Sequence, residues 1–269
     1  MKQEETELSI IIVNYNGKDY LKDCLGSISK CCTVSHEVIL VDNASSDGSQ
    51  EYIKENFPKV VLIENTENSG FAKANNIGVE KSIGKNILLL NNDTILLDTI
   101  DPLLKEVAPN DIGAITIKML NGDKQFIAPY GKFPTPLNLI KLANLNEKRE
   151  ELRTGNFTKE KYAVDWITGS FLLLKRKDWD LVHGLDEDYF MYVEDVDFSK
   201  KLQKRGKKIL FYANYSYIHF VGFNPKREIK LIEGYKIYAR KHFSRLGNLM
   251  AQLMLSFNLF IKAYVKKTL

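Results

Sequence analysis

Residues 184–199, GLDEDYFMYVEDVDFS, set six carboxylates among Tyr189, Phe190, Tyr192 and Phe198. Acids crowded beside aromatic rings are partly dehydrated, and desolvation and neighbouring charge both raise a carboxyl pKa toward that of a working general base. Helix capping is the second reading of the same segment. VEDVDFSKKLQKRG places Val193, Val196 and Leu202 on one side, acids in the first turn and bases toward the far end, as a helix dipole favours.

A second polar set follows the apolar runs of the N-terminal half: Asn14 and Asn16, Asp42 and Asn43, Asn68, then Asn91, Asn92 and Asp93. Asn and Asp favour turns and caps wherever they stand. Gathered on one rim, they would also make a polar ligand site, because open parallel sheets bind ligands at the carboxyl ends of their strands.

The elements needed to build that rim are legible. LSIIIV (8–13), HEVILVD (36–42), KVVLIE (59–64) and KNILLL (85–90) read as buried strands. Between them DYLKDCLGSISK and the segments 47–56 and 70–82 read as helices, which predicts an α/β fold with a parallel sheet covered on both faces. Beyond residue 110, DIGAITIKML continues as strand, 121–160 reads as loops with a short helix at 137–145, and 162–176 is strand-like with Gly169 as an interruption. RKDWDLVHG is a short helix stopped by Gly184, and KKILFY and YSYIHF are two late strands, the second carrying His219.

At 269 residues and 44% hydrophobic content the chain buries a substantial core and is not disordered. Cys24, Cys31 and Cys32 match no metal-ligand spacing and suit a reducing compartment. MKQEETELS has no secretory character, which places the protein on the cytoplasmic side. The formal charge of +4 conceals an asymmetry: residues 200–269 hold 16 Lys and Arg against two acids, and residues 1–199 hold 22 against 32. A tail at +14 on a body at −10 predicts contact with an anionic surface. EIKLIEGYKIYARKHFSRL and, after Gly247, NLMAQLMLSFNLFIKAYVKK are helical in spacing, the latter short for a membrane span. The tail is thus expected either to lie on a membrane interface or to pack on the body. A nucleic-acid partner is not expected.

The chain has no G-x-G-x-x-G after the first strand, no P-loop, no G-x-S-x-G and no Cys/His metal set. SIIIVNYNG (9–17), VDNASSDGS (41–49), NSGFAKANNIG (68–78), LLLNNDT (88–94), WITGSFLLLKR (166–176) and GLDEDYFMYVEDVDF (184–198) occur in the order found in the inverting nucleotide-sugar glycosyltransferases of family two. The resemblance runs over about residues 8 to 222 and is strongest to the rhamnosyltransferase-like branch that builds surface polysaccharides.

That resemblance implies a GT-A fold over 1–222, with a nucleotide-binding half (1–118), an acceptor-binding half (119–222) and a basic amphipathic helical tail (223–269). It implies that Asp42 pairs with the nucleobase, and that Asn14, Asn16, Asn43, Asn68, Gly70 and Asn75 line the same donor pocket. Asn91-Asn92-Asp93 takes the D-x-D position, where Asp93 would hold Mg²⁺ or Mn²⁺ on the donor diphosphate; Asn91 replaces the first acid. His219 falls where some relatives supply a further metal ligand, although a lone His near a strand end is also an ordinary structural residue. Asp195 would be the general base with Glu194 beside it, Trp166 and Gly169 would border the acceptor, and Asp197 would be a cap or ion-pair partner. The implied reaction moves a sugar, rhamnose foremost, from a nucleotide-diphosphate donor to a glycan or lipid-linked acceptor at the inner membrane face. A donor-binding protein without activity and a nucleotidyltransferase are the competing classes.

Overall fold

Four apolar runs become the parallel half of one sheet. The computed structural model describes residues 5–220 and 227–268, with side chains up to 259, and the expected junction at 222/223 lies outside them. β1 (Leu8–Asn14), α1 (Lys18–Cys31), β2 (His36–Asp42), α2 (Ser49–Asn56), β3 (Val61–Glu64), α3 (Phe71–Lys81) and β4 (Asn86–Asn91) follow the expected alternation. The strands lie in the order β3-β2-β1-β4, each pair parallel. Successive residues of a strand face opposite sides, so Leu8, Ile10 and Ile12 pack with Leu21, Cys24 and Ile28 of α1, while Ile11 packs with Ala72 and Ala74 of α3. Both faces of β1 are therefore dry, which is why it reads as a continuous apolar run. Each such aliphatic side chain contributes about 1.5–3 kcal/mol on burial.

The C-terminal half adds β5 (Thr94–Leu96), α4 (Asp101–Val107), β6 (Ile112–Leu120), β7 (Phe126–Ile127), β8 (Tyr130–Gly131), α5 (Glu150–Thr154), β9 (Lys161–Val164), β10 (Trp166–Ile167), β11 (Phe171–Lys175), α6 (Arg176–Leu181), α7 (Glu194–Lys204) and β12 (Lys208–His219). Beyond β4 the sheet continues through β11, β6, β12 and β5, with β11 antiparallel to β4 and β12 parallel to β6. The sheet is thus parallel on one side and mixed on the other.

Three sequence expectations change in detail. KKILFY and YSYIHF are one strand, β12, whose register on β6 shifts between Tyr212 and Ser216. The short helix expected at 137–145 is two 3-10 turns, Asn138–Ile140 and Leu142–Leu145, separated by extended Lys141. Segment 162–176 divides into β9, β10 and β11 because each piece pairs with a different partner: β12, β8 and β4.

α8 (Arg227–His242) and α9 (Arg245–Thr268) form a hairpin on the C-terminal half. Ile232, Tyr235 and Tyr238 of α8 and Ala251 and Leu255 of α9 bury in one cluster with Leu139, Tyr189, Val193 and Val196. Asn258 donates to the Ile140 carbonyl at 2.8 Å. Gly247 lies inside α9 rather than ahead of it. The inner face of the tail therefore packs on the body, and Leu246, Leu249, Leu253 and Phe257 remain exposed on the other side. Among the described residues no helix is long and apolar enough to cross a membrane.

Candidate active site

Parallel register alone brings the first rim residues together, since Asn14 ends β1 opposite Asp42 at the end of β2. The Asn14 amide donates to Asp42 Oδ1 at 2.9 Å and to Ser45 Oγ at 3.2 Å, while its own Oδ1 accepts from Asn92 Nδ2 at 2.7 Å. Asp42 is fully buried, and its Oδ2 accepts the Ser45 N–H and the Gln50 amide at 2.8 and 2.7 Å. A carboxylate has about four acceptor sites, so these three donors leave one, and because Asp42 is fully buried a nucleobase reaches it only if a covering group such as Gln50 turns aside. Asn43, also buried, donates to the Gly70 carbonyl and accepts from Asn65 and Ser69. Asn16, at φ +52°, caps the 45–47 loop through the Ser46 N–H.

Asn68 Oδ1 accepts the Gly70 N–H, closing the turn into α3. Gly70 has φ +84°, and a Cβ there would stand 2.4 Å from the Phe190 carbonyl oxygen, which accepts the Phe71 N–H at 2.8 Å. This contact joins the donor-side motif to the acid segment. Asn75 stands apart: it is buried within α3 and its amide returns to the Phe71 carbonyl. Ser45, Gln50, Asn65 and Ser69 complete the network; Ser45 and Ser69 lie inside two of the polar motifs, whereas Gln50 and Asn65 stand just outside them and carried no distinct sequence signal.

The D-x-D-like turn leads from β4 into β5, which pairs with β12 and so brings His219 to Asp93. His219 Nε2 lies 3.1 Å from Asp93 Oδ1 and 3.2 Å from Asn91 Nδ2, and Nδ1 faces Met119 Sδ at 3.3 Å. The ring is partnered in either tautomer, by Nε2–H donating to Asp93 or by Nε2 accepting the Asn91 amide N–H, but Asn91 Oδ1 is buried without a hydrogen-bond partner. A cation relieves that arrangement, and a carboxylate, an imidazole and an amide oxygen fit Mn²⁺ well and Mg²⁺ less well. Among the described residues no three His, Cys, Asp or Glu converge as a metal cage, so oxygens of a ligand must complete any coordination shell.

The acid segment enters α7 through Tyr192 and Val193, at φ +73° and +74°. Left-handed backbone at such residues costs on the order of 1–3 kcal/mol each. Asp195, in the first turn of α7, accepts the Gly169 N–H on Oδ2 at 3.2 Å and the Val196 N–H on Oδ1 at 2.8 Å. Burial pushes its pKa up to about 6, against the opposing pull of those N–H groups. Glu194 is buried with Oε2 unpaired, and burial followed by the Asp195 charge raises its pKa well above the usual carboxylate range. The two N–H donors support the anion at Asp195, and Glu194 Oε2 has no such partner. Gly169 also makes room for the Phe71 ring, which a Cβ would approach to 2.8 Å. Trp166 is half-buried beside the Val193 and Val196 cluster, its indole N–H on the Lys132 carbonyl.

The other acids hold the scaffold. Asp186 and Asp188 share Lys241 at 2.8 and 2.6 Å, and Glu187 accepts from Asn76. Asp197 receives His242 Nε2–H at 2.7 Å and lies 3.7 Å from Lys201. Part of the tail's positive charge therefore meets this protein's own acids. Lys241 and His242 were invisible as partners in the sequence because their acids lie about 45 to 55 residues away.

The sequence profile described as "Glycosyl transferase family 2" matches residues 9–178. The chain belongs to glycosyl transferase family 2. It is 26% identical to the rhamnosyltransferase WbbL of Escherichia coli K12 over 221 residues, 78% of this chain and 82% of that one. It is 25% identical to the N-acetylglucosaminyl-diphospho-decaprenol L-rhamnosyltransferase of Mycobacterium tuberculosis over 241 residues, 82% and 78% of the two chains. The fold matches the mannosyltransferase PcManGT of Pyrobaculum calidifontis, solved with GDP-Man and Mn²⁺, at a TM-score of 0.63 and 17% identity, covering 97% of this chain and 76% of that one. This family-two glycosyltransferase is rhamnosyltransferase-like and has the GT-A fold.

Proposed function

We propose that this glycosyltransferase moves a sugar, rhamnose foremost, from a nucleotide-diphosphate donor to a glycan or lipid-linked acceptor with inversion at the anomeric carbon. The observation that carries this reading is Asp195: a half-buried carboxylate held by the Gly169 N–H, with its pKa raised to about 6. Near neutral pH such a group is ionised yet basic enough to take the proton of an attacking hydroxyl. Attack opposite the departing diphosphate inverts the configuration without a covalent intermediate. Glu194, whose burial and unpaired Oε2 disfavour its charged form, would direct the acceptor. Gly169 and Trp166 border the acceptor, and the Asn14–Asp42–Asn43 network with Asn16, Asn68, Gly70 and Asn92 shapes the donor side.

Asp93, His219 and the Asn91 oxygen are the residues that would hold Mg²⁺ or Mn²⁺. Such an ion, when bound, supplies positive charge to the leaving diphosphate. Residues 1–118 would serve the donor and 119–222 the acceptor, with 223–269 as the tail whose α8 and first half of α9 pack on the acceptor side. The lipid-linked acceptor is supported by the decaprenol-linked substrate in the name of the mycobacterial relative. A position on the inner membrane face is supported by the exposed Leu246, Leu249, Leu253 and Phe257 beside a basic tail, and by three free, buried thiols.

The decisive experiment supplies dTDP-rhamnose and UDP-sugars with prenyl-diphosphate-linked acceptors and determines the anomeric configuration of the product. Retention of configuration, or full activity in Asp195→Asn, would refute the mechanism.

A further inference from the structure

The two residues that deliver Glu194 and Asp195 into α7 hold a conformation that their own types disfavour. Tyr192 and Val193 both take φ near +73°, although neither a bulky aromatic nor a β-branched residue favours the left-handed region. Packing from outside the turn can offset that cost. What lies against it is α8: Gly234 sits so close that a Cβ there would stand 2.7 Å from Val193 Cγ2 and 2.9 Å from the Tyr192 carbonyl oxygen. Val193 is buried in the same cluster as Tyr235 and Tyr238. The Val193 carbonyl then accepts the Asp197 N–H at 2.9 Å, starting the helix whose first turn carries Asp195. Lys241 and His242, at the far end of α8, hold Asp186, Asp188 and Asp197 on either side of the turn.

We propose that α8 is a positioning element for the catalytic base, with Gly234 acting through Tyr192 and Val193 to set where the Asp195 carboxylate stands. The inference rests on Asp195 as the base. Gly234 is a positioning residue because it reaches the reacting groups only through the turn. A glycine in a helix interior is normally improved by alanine; here the added methyl pushes on the turn.

The test is a double-mutant cycle between Gly234→Ala and Val193→Gly, read as kcat, donor KM and the pH dependence of kcat/KM. Gly234→Ala is expected to lower kcat roughly 10- to 100-fold, as small misplacements of reacting groups do, with donor KM within about twofold. The acid limb of its kcat/KM profile should also move, by about half a unit or more, which a loss of folded protein alone would not produce. In the Val193→Gly background the same alanine should cost at least about threefold less than in the parent, because the Cγ2 contact is gone and a glycine at 193 lets the turn yield to the remaining 2.9 Å contact with the Tyr192 carbonyl oxygen. Should Gly234→Ala not fold, Lys241→Ala decides: kcat lower by about threefold or more at unchanged donor KM supports the positioning role. Asp195→Asn measured alongside separates the readings. An active Gly234→Ala with inactive Asp195→Asn, or equal alanine costs in both backgrounds, overturns the positioning role alone, as does an unchanged kcat in Lys241→Ala; a fully active Asp195→Asn overturns the base itself.

Discussion

Gly169 donates its backbone N–H to Asp195 Oδ2 across 3.2 Å, which ties the loop between β10 and β11 to the first turn of α7. A backbone donor cannot rotate away, so the carboxylate's orientation is set before any substrate arrives. Replacing Asp195 by Asn keeps the shape and removes the basicity. Asp195→Asn is expected to lower kcat by about 10²- to 10⁴-fold with donor KM nearly unchanged, measured by donor turnover at saturating acceptor.

The raised Asp195 pKa predicts the acid limb of the rate profile. Activity should rise with pH through a midpoint near 6 in kcat/KM, because the base works only when ionised. The same shift acts on stability with the opposite sense. Between the unfolded value of 3.8 and about 6 the folded state binds more protons than the unfolded one, so stability contributed by this group is present at low pH and lost as pH rises through 6. Glu194, raised for the same reason of burial, acts in the same direction. Glu194→Gln should therefore gain a few degrees in Tm relative to the parent at pH 8 and little at pH 5.

The Asp93–His219 pair predicts a metal requirement. Chelation should abolish turnover, and His219→Ala should raise the Mn²⁺ concentration for half-maximal activity by about tenfold or more. A metal titration of both proteins under identical donor concentration checks this.

Gly70→Ala should destabilise the fold by about 2 kcal/mol or more, because the site combines positive φ with a Phe190 carbonyl at 2.4 Å from the new Cβ. Denaturant unfolding of both proteins measures it. The loss should be accompanied by weaker donor binding, since the same displacement moves Asn68 and Asn43.

The exposed stripe on α9 predicts vesicle binding. Leu249→Glu with Leu253→Glu should release the protein from anionic vesicles at low salt while leaving Tm within a few degrees, as both side chains are 57% exposed and outside the buried cluster. Co-sedimentation with and without anionic lipid is the measurement.

Much of this protein was determined by sequence alone. Buried strands with their two-sided apolar runs, the helices between them and the polar residues ending each strand follow from local periodicity, and parallel pairing then places Asn14 beside Asp42. The acid cluster and the D-x-D-like turn announced chemistry because their residue types are costly to bury without a role. Tertiary structure decided which acid does what. Asp195 met a glycine N–H from a loop 26 positions earlier, Asp197 met a histidine 45 positions later, and Lys241 absorbed two further acids from across the tail. Such pairings depend on which elements pack together and at what angle. The tail's basic composition could not reveal that part of its charge, at Lys241, and one of its apolar faces would be turned inward on the segment carrying the base.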